Sequence, residues 1–241
     1  NTALPTLEKM ATDSDPSVRA AVAKNPRTPV TALDKLASDP EAIVRRAVVA
    51  HPSVTASVLD KLSGDKDESV RLAVANHNRT SASTLAKLAK DDNVDVRTAV
   101  VRNPHTELST IAGMITDSQV KVRLEIASLS RTPKELLMKM AGDPESDVQL
   151  AVAQNPNADE DVFMKLTEGD LPVRQHLANS NRATEKVLLK LTGDASAAVR
   201  LAVAQNRLAT QSVYLRLTED SEVSIRMSLA KNPKANEEVL L

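Results

Sequence analysis

Apolar residues return along this chain at two alternating spacings, and both are helical. Around Leu59 the apolar neighbours are Val58 and Leu62, and around Phe163 they are Val162 and Leu166. A residue, the one before it and the one three further on share a helical face, whereas a strand would alternate. The stripe predicts a first helix around each of Leu7, Leu33, Leu59, Leu85, Ile111, Leu137, Phe163, Leu188, Tyr214 and Leu240. A second stripe, typified by Val18, Ala21, Val22 and Asn25, has spacings of three, four and seven and predicts a second helix. At about two turns such a helix is marginal alone in water, so stacking must hold it.

The pair repeats. Its Val/Ile anchors are Val18, Val44, Val70, Val96, Val122, Val148, Val173, Val199 and Ile225, a step of 26 residues except for 25 between Val148 and Val173. A fixed period of this length predicts an all-α solenoid of about nine two-helix repeats, filling residues 1–241 as one domain, with a partial tenth repeat from Asn236. Thr132, Pro133 and Glu135 fit the N-cap, N1 and N3 of a capping box, and Thr28 with Pro29 repeats that entry. Elsewhere Thr55, Asp159, Thr184 or Thr210 takes the cap, while Asp15, Glu41, Asp67 and Glu145 open second helices. Pro26, Pro52, Pro104, Pro156 and Pro233 close them. The Asn before such a proline is expected to be extended, its amide bonding backbone of the turn or the next repeat.

Three charged columns accompany the stripes. Lys9, Lys35, Lys61, Lys87, Lys139, Lys165, Lys190 and Arg216 follow the first-helix anchors. Asp13, Asp39, Asp65, Asp91, Asp117, Asp143, Asp194 and Asp220 come four residues later. Arg19, Arg45, Arg71, Arg97, Arg123, Arg174, Arg200 and Arg226 follow, with Gln149 the departure. Each Asp is expected to lie between the cation one turn back and an Arg on the next helix. The lysines alone would suit a polyanion. Matched aspartates, a net charge of −1 and a single Phe and Tyr with no Trp argue against nucleic acid as the partner.

Leu-Asp-Lys-Leu-Ala-Ser-Asp-Pro at 33–40 followed by Val-Arg-Arg-Ala-Val-Val-Ala-His-Pro at 44–52 resembles the leucine-rich repeat variant family. The Asp to Val-Arg spacing is also similar to HEAT repeats. The first resemblance implies a right-handed superhelix of paired short helices, one of each pair 3₁₀, and both imply an all-helical binding scaffold, here expected to be non-catalytic. An iron–sulfur module of some relatives does not carry over, since the chain has no cysteine.

Catalytic chemistry finds little support. His51 and His77 occupy the Asn position of adjacent repeats but lack a third ligand, so no metal, catalytic residue or cofactor is assigned. A HEAT-like DNA glycosylase is a remote alternative, disfavoured by the missing aromatics. Of the methionines, Met10, Met114, Met138, Met140, Met164 and Met227, most fall beside anchors, as core filling. No apolar run is long enough for a membrane span and no signal peptide is visible, so the expected compartment is the cytoplasm. The start at Asn1 leaves room for a removed leader, and the end in mid-repeat fits a longer parent protein or end-to-end self-association.

The repeats differ most on one ridge of the second helix. It comprises Arg46, Leu72, Asn76, Thr98, Arg102, Leu124, Ser128, Leu150, Gln154, Asn179, Leu201 and Gln205. Leu72, Leu124, Leu150 and Leu201 are expected to be exposed. Because inner helices of solenoids line a concave surface, this ridge is the expected contact for a protein or peptide. The fifth to seventh repeats break several rules together: Leu129 and Ser130 replace Asn-Pro, Gln149 replaces Arg, and a residue is lost before Val173.

Overall fold

The computed structural model describes residues 4–235, and every regular element among them is an α-helix. The anchor Leu240 and the partial repeat from Asn236 lie outside the described residues. Seven-residue first helices are α1 (Leu4–Met10), α3 (Val30–Leu36), α5 (Ala56–Leu62), α7 (Ala82–Leu88), α9 (Leu108–Met114), α11 (Lys134–Met140), α13 (Glu160–Leu166), α15 (Glu185–Leu191) and α17 (Gln211–Leu217). They alternate with second helices α2 (Pro16–Lys24), α4 (Ala42–Val49), α6 (Glu68–Asn76), α8 (Val94–Arg102), α10 (Val120–Ser128), α12 (Ser146–Gln154), α14 (Leu171–Asn179), α16 (Ala197–Gln205) and α18 (Val223–Ala230). Both members of each pair are α-helical, so the 3₁₀ member implied by the family resemblance is absent among the described residues. The first helices close the wider ring, as in Leu33 N–H to the Pro29 carbonyl and Ala37 N–H to the Leu33 carbonyl.

The chain forms two compact units, one ending at Glu125 and the other beginning at Ile126. In the first, α2 packs on α4, α4 on α6 and α6 on α8, so the second helices make a continuous layer with first helices against it. In the second, α12, α14, α16 and α18 stack the same way, and α11, α13, α15 and α17 form the other layer. The core lies between layers and follows the sequence stripes. Val70, Val74, Leu59 and Leu85 are fully buried in the first unit; Val148, Val152, Val199, Leu188 and Tyr214 are fully buried in the second. Each such side chain contributes about 1.5–3 kcal/mol, which is how helices of two turns persist.

Several helix entries differ from expectation. Thr28 and Thr132 are not N-caps. Pro29 and Pro133 hold those positions, while the buried hydroxyls reach back to the second helix: Thr28 Oγ1 donates to the Val22 carbonyl at 2.6 Å, and Thr132 Oγ1 to Ile126 at 2.7 Å. Thr80 and Thr106 repeat the bond to Val74 and Val100. A second helix ends with unpaired carbonyls, and a buried hydroxyl satisfies one of them. Thr55 and Asp159 cap as expected, accepting from the Val58 and the Asp161 and Val162 amides. Thr184 and Thr210 stand at N-cap positions without a capping bond, and Thr210 instead donates to Glu185.

Candidate functional site: the ridge and the ladders behind it

The arginine column reads the backbone of its own repeat and the carboxylate of the next. Arg45 Nη1 donates to the Asp39 carbonyl at 2.7 Å, while its Nε and Nη2 make a bidentate pair with Asp65 at 2.6 and 2.7 Å. The same rung joins Arg19 to Asp39, Arg71 to Asp91 and Arg97 to Asp117 in the first unit, and Arg174 to Asp194 and Arg200 to Asp220 in the second. The expected sandwich of each Asp between the Lys one turn back and the Arg of the next helix therefore does not form on either side: the carboxylate pairs with the Arg 20 residues earlier, and the Arg six residues on takes only its backbone carbonyl. Lys61 turns to Ser38, Lys87 to Asp60 and Lys165 to Glu168. A lysine one turn back reaches outward, whereas the planar guanidinium fork matches both carboxylate oxygens and leaves one nitrogen for the carbonyl.

Each aspartate also starts the next helix. Asp39 Oδ1 accepts the Glu41 amide at 3.0 Å, and Asp65 Oδ1 the Asp67 amide at 2.9 Å. Burial opposes ionisation of Asp39, but the hydrogen bonds from Arg19 and the Glu41 amide and the charges of Arg19 and Arg45 outweigh it, holding the carboxyl below its ordinary value. Asp65, Asp91 and Asp117 are lowered by the same balance.

On the opposite edge runs the asparagine ladder. Asn103 Nδ2 donates to the carbonyls of Ala75 and His77 at 2.8 and 3.1 Å; Asn155 does so to Ala127 and Leu129, and Asn206 to Ala178 and Ser180. The amide nitrogen thus bonds the preceding repeat rather than the next, while Oδ1 accepts from the turn as expected, as from the His105 amide at Asn103. His51 fits the same slot: its Nδ1 accepts the Ser53 amide, so Nε2 carries the proton and donates to the Asn25 carbonyl at 2.9 Å. Both nitrogens of His51 are used in this way, and burial followed by the Arg79 charge lowers the pKa of His77. Among the described residues no three His, Asp or Glu side chains are grouped to hold a metal.

A third ladder was not foreseen. Two residues beyond the Asn slot, Arg79 Nη1 donates to the Pro52 carbonyl, Asn157 Nδ2 to Ser130 and Thr132, and Lys234 Nζ to Arg207. Arg182 bonds the carbonyls of Asn155, Pro156 and Ala158, with its guanidinium 5.3 Å from the Phe163 ring centroid. The polar bias of that column, Arg27, Arg79, His105, Arg131, Asn157, Arg182 and Lys234, was the available signal.

The ridge remains outside these ladders. In the first unit Arg46, Asn76, Arg102 and Leu124 are exposed; in the second, Ser128, Gln154, Asn179 and Gln205 are. Three leucines expected to be exposed, Leu72, Leu150 and Leu201, are half-buried, because the flank of each second helix lies against its neighbour in the layer. Thr98 is buried outright at 2% exposure, its hydroxyl satisfied by the Val94 carbonyl at 2.8 Å, and leaves the ridge. Arg102 pairs with Glu125 at 2.6 Å, and Asn76 and Asn179 bond the carbonyls of Leu72 and Gln175 one turn back.

Two depressions lie near these features. One of about 740 Å³ in the first unit is lined by Asp91, Asp92, Arg97 and Asp117, charges that largely belong to the rungs. A cleft of about 420 Å³ in the second unit lies between residues 179–181 and 205–208 and so includes ridge residues Asn179 and Gln205.

The likenesses to known proteins agree with the fold. The leucine rich repeat variant family matches residues 16–41, and the HEAT repeat family matches residues 3–25. No curated protein matches the chain. Among solved structures, a leucine-rich repeat variant described as having a novel repetitive protein structural motif is 22% identical, with a TM-score of 0.63 over 96% of this chain and 87% of that one. An engineered protein is 14% identical with a TM-score of 0.36, covering 100% of this chain and 80% of that one. A designed armadillo repeat protein is 17% identical with a TM-score of 0.23, over 94% and 96%. The chain is similar in fold to the leucine-rich repeat variant structure, with a HEAT-like match beside it.

Proposed function

We propose that the chain is a non-catalytic protein- or peptide-binding scaffold that grips its partner with the second-helix ridge. The observation that carries this reading is a division of labour. The recurrent Arg, Asp and Asn columns are used internally, rung by rung, whereas Arg46, Asn76, Leu124, Gln154, Asn179 and Gln205 vary from repeat to repeat and stay exposed. Leu150 and Leu201 add half-buried apolar surface beside those polar groups, the mixture that protein interfaces use. Reading 1–241 as one array rests on the unbroken 26-residue step from Val122 to Val148. No helix among the described residues is long and apolar enough to cross a membrane.

Panning the full chain against a random peptide library tests the reading. Enriched peptides are expected to bind the wild type and to lose at least about tenfold in affinity on Leu150→Glu with Leu201→Glu, a cost of about 1.4 kcal/mol. Failure to enrich any sequence, or equal binding by a folded ridge variant, overturns it.

A further inference from the structure

The cleft in the second unit lies where one column changes its chemistry. At the position two beyond the Asn slot, Asn157, Arg182 and Lys234 each fold over the preceding turn and bond its carbonyls. Position 208 is leucine, which has no group to offer a carbonyl, and its side chain stays 45% exposed. The 420 Å³ cleft opens beside it, with Leu208 among its lining residues.

The remaining walls are amides and one cation. Asn181 and Gln205 are exposed, and each amide presents an acceptor and two donors. Arg207 also lines the cleft, and its guanidinium has no carboxylate partner among the described residues. The surrounding chain is one-sided in charge: segments 176–182, 202–208 and 228–234 carry Arg182, Arg207, Lys231 and Lys234 and contain no Asp or Glu. A helix C-terminus explains a cation such as Lys231 just past α18, since the dipole favours it there. It does not explain an arginine without a carboxylate partner among the lining residues of a cleft beside an exposed leucine.

We infer that this cleft binds an acidic peptide segment in extended conformation. The amides of Asn181 and Gln205 match the alternating N–H and C=O of a peptide backbone. Leu208 accepts an apolar side chain, and Arg207 takes an acidic one through its fork. A phosphate backbone would reward the cations but leave the amide acceptors unused, and a base or sugar ring has no aromatic side chain on these walls to stack on. The volume lies within the range of about 300–1,000 Å³ that binding clefts use. This inference rests on the ridge reading, since Gln205 belongs to both.

The probe is a short fluorescein-labelled peptide of alternating Leu and Glu, compared with its Leu and Gln twin and with oligothymidylate, by fluorescence anisotropy on the full chain. The Glu peptide is expected to bind at least about tenfold more tightly than the Gln twin and the oligonucleotide. Arg207→Glu should abolish that preference, and Asn181→Ala with Gln205→Ala should weaken both peptides about tenfold. These exposed positions leave the circular dichroism spectrum and Tm unchanged, and Asn78→Ala, at the exposed first-unit position equivalent to Asn181, is without effect on the probe. No binding of the Glu peptide, unchanged binding by Arg207→Glu, or equal binding of oligothymidylate would each overturn the assignment. If library peptides still depend on Leu150 and Leu201 while the Glu peptide fails, the acidic specificity falls and the ridge reading stands.

Discussion

Arg45 and Gln149 occupy the same column, yet only Arg45 ties two repeats together. In the first unit Arg45 grips the Asp65 carboxylate with two hydrogen bonds, and the side chains of the pair are 6% and 5% exposed. In the second unit the residue 20 beyond Gln149 is Gly169, so cation and anion are missing from one rung together. Gln149 keeps half of the arginine's work, donating from Nε2 to the Asp143 carbonyl at 2.7 Å, while its buried Oε1 has no partner. Gly169 is needed for space: its φ is not positive, and a Cβ there would overlap Gln149 Oε1. The link between the repeats moves to Ser146, whose hydroxyl donates to Asp170, the residue at the N-cap position of α14. A rung is therefore a two-residue unit, tolerated when lost as a pair and costly when halved.

The largest effect is expected from halving an intact rung. Asp65→Ala leaves the Arg45 guanidinium buried without its carboxylate and should destabilise by about 3 kcal/mol or more in urea denaturation. Gln149→Ala, which removes one neutral hydrogen bond, should cost about 1–2 kcal/mol. If Asp65→Ala costs less than about 1 kcal/mol, the rung behaves as a surface pair and the contrast with Gln149 disappears.

Rebuilding the broken rung is the next test. Gly169→Asp alone crowds Gln149 Oε1, with the Leu166 carbonyl at 3.1 Å and Val173 Cβ at 3.3 Å from the added carbon. It should destabilise by about 1–3 kcal/mol. Gln149→Arg alone introduces a charge with no carboxylate at the next rung. Combined, the two should couple favourably by about 1–3 kcal/mol in a double-mutant cycle. Additive costs would mean that the residue lost before Val173, rather than the identities at 149 and 169, fixes the local geometry.

Acid separates the same two places. Asp39, Asp65, Asp91 and Asp117 have folded pKa values below the ordinary 3.8, so their contribution is complete above about pH 5, declines as pH falls past 3.8 and is gone below the folded values. Asp65→Asn should flatten the stability profile between about pH 5 and pH 3, whereas Gln149→Ala should shift it without changing its slope, since neither amide nor methyl titrates. An unchanged slope in Asp65→Asn would show that this carboxylate is equally ionised in both states.

How much of this was legible depended on whether a signal was periodic. The helix pairs and their buried Val and Leu faces followed from the 26-residue step, because stacking imposes one environment on each column. Partner choice within a column was harder. Asp13 and Arg19 are six residues apart, but the fork of Arg19 bonds the Asp13 backbone and saves its carboxylate contact for Asp39. Sequence spacing gives adjacency along the chain, and the stack brings the next repeat equally close. Thr28 and Thr132 misled for a related reason: a threonine before proline looks like a cap, yet burial sends its hydroxyl to the nearest open carbonyl, on the preceding helix. The ridge positions differ in exposure: Leu72, Leu150 and Leu201 are half-buried against neighbouring helices, and Thr98, a small side chain with an internal bond, packs inward. The 420 Å³ cleft was invisible because it is a shape between two turns, and no spacing in the sequence encodes a shape.

The smallest effect concerns the third ladder, which runs past the broken rung in the second unit. Arg182 holds three carbonyls of the preceding turn and lies over Phe163, the large ring at an anchor position where most repeats have Leu. Lysine keeps the charge but loses the fork and most of the planar contact, so Arg182→Lys should cost about 1 kcal/mol. Arg79, which bonds the single carbonyl of Pro52 in the first unit, should lose less on the same change, about 0.5 kcal/mol. The difference is physical. Where the arginine–aspartate rung is absent, the neighbouring turn holds the repeats in register, and its arginine has three acceptors and a ring to do so. Equal costs at 79 and 182, measured as the shift in urea midpoint at constant slope, would show that the second unit gains nothing extra from Arg182 and that Ser146 with Asp170 carries the replacement link alone.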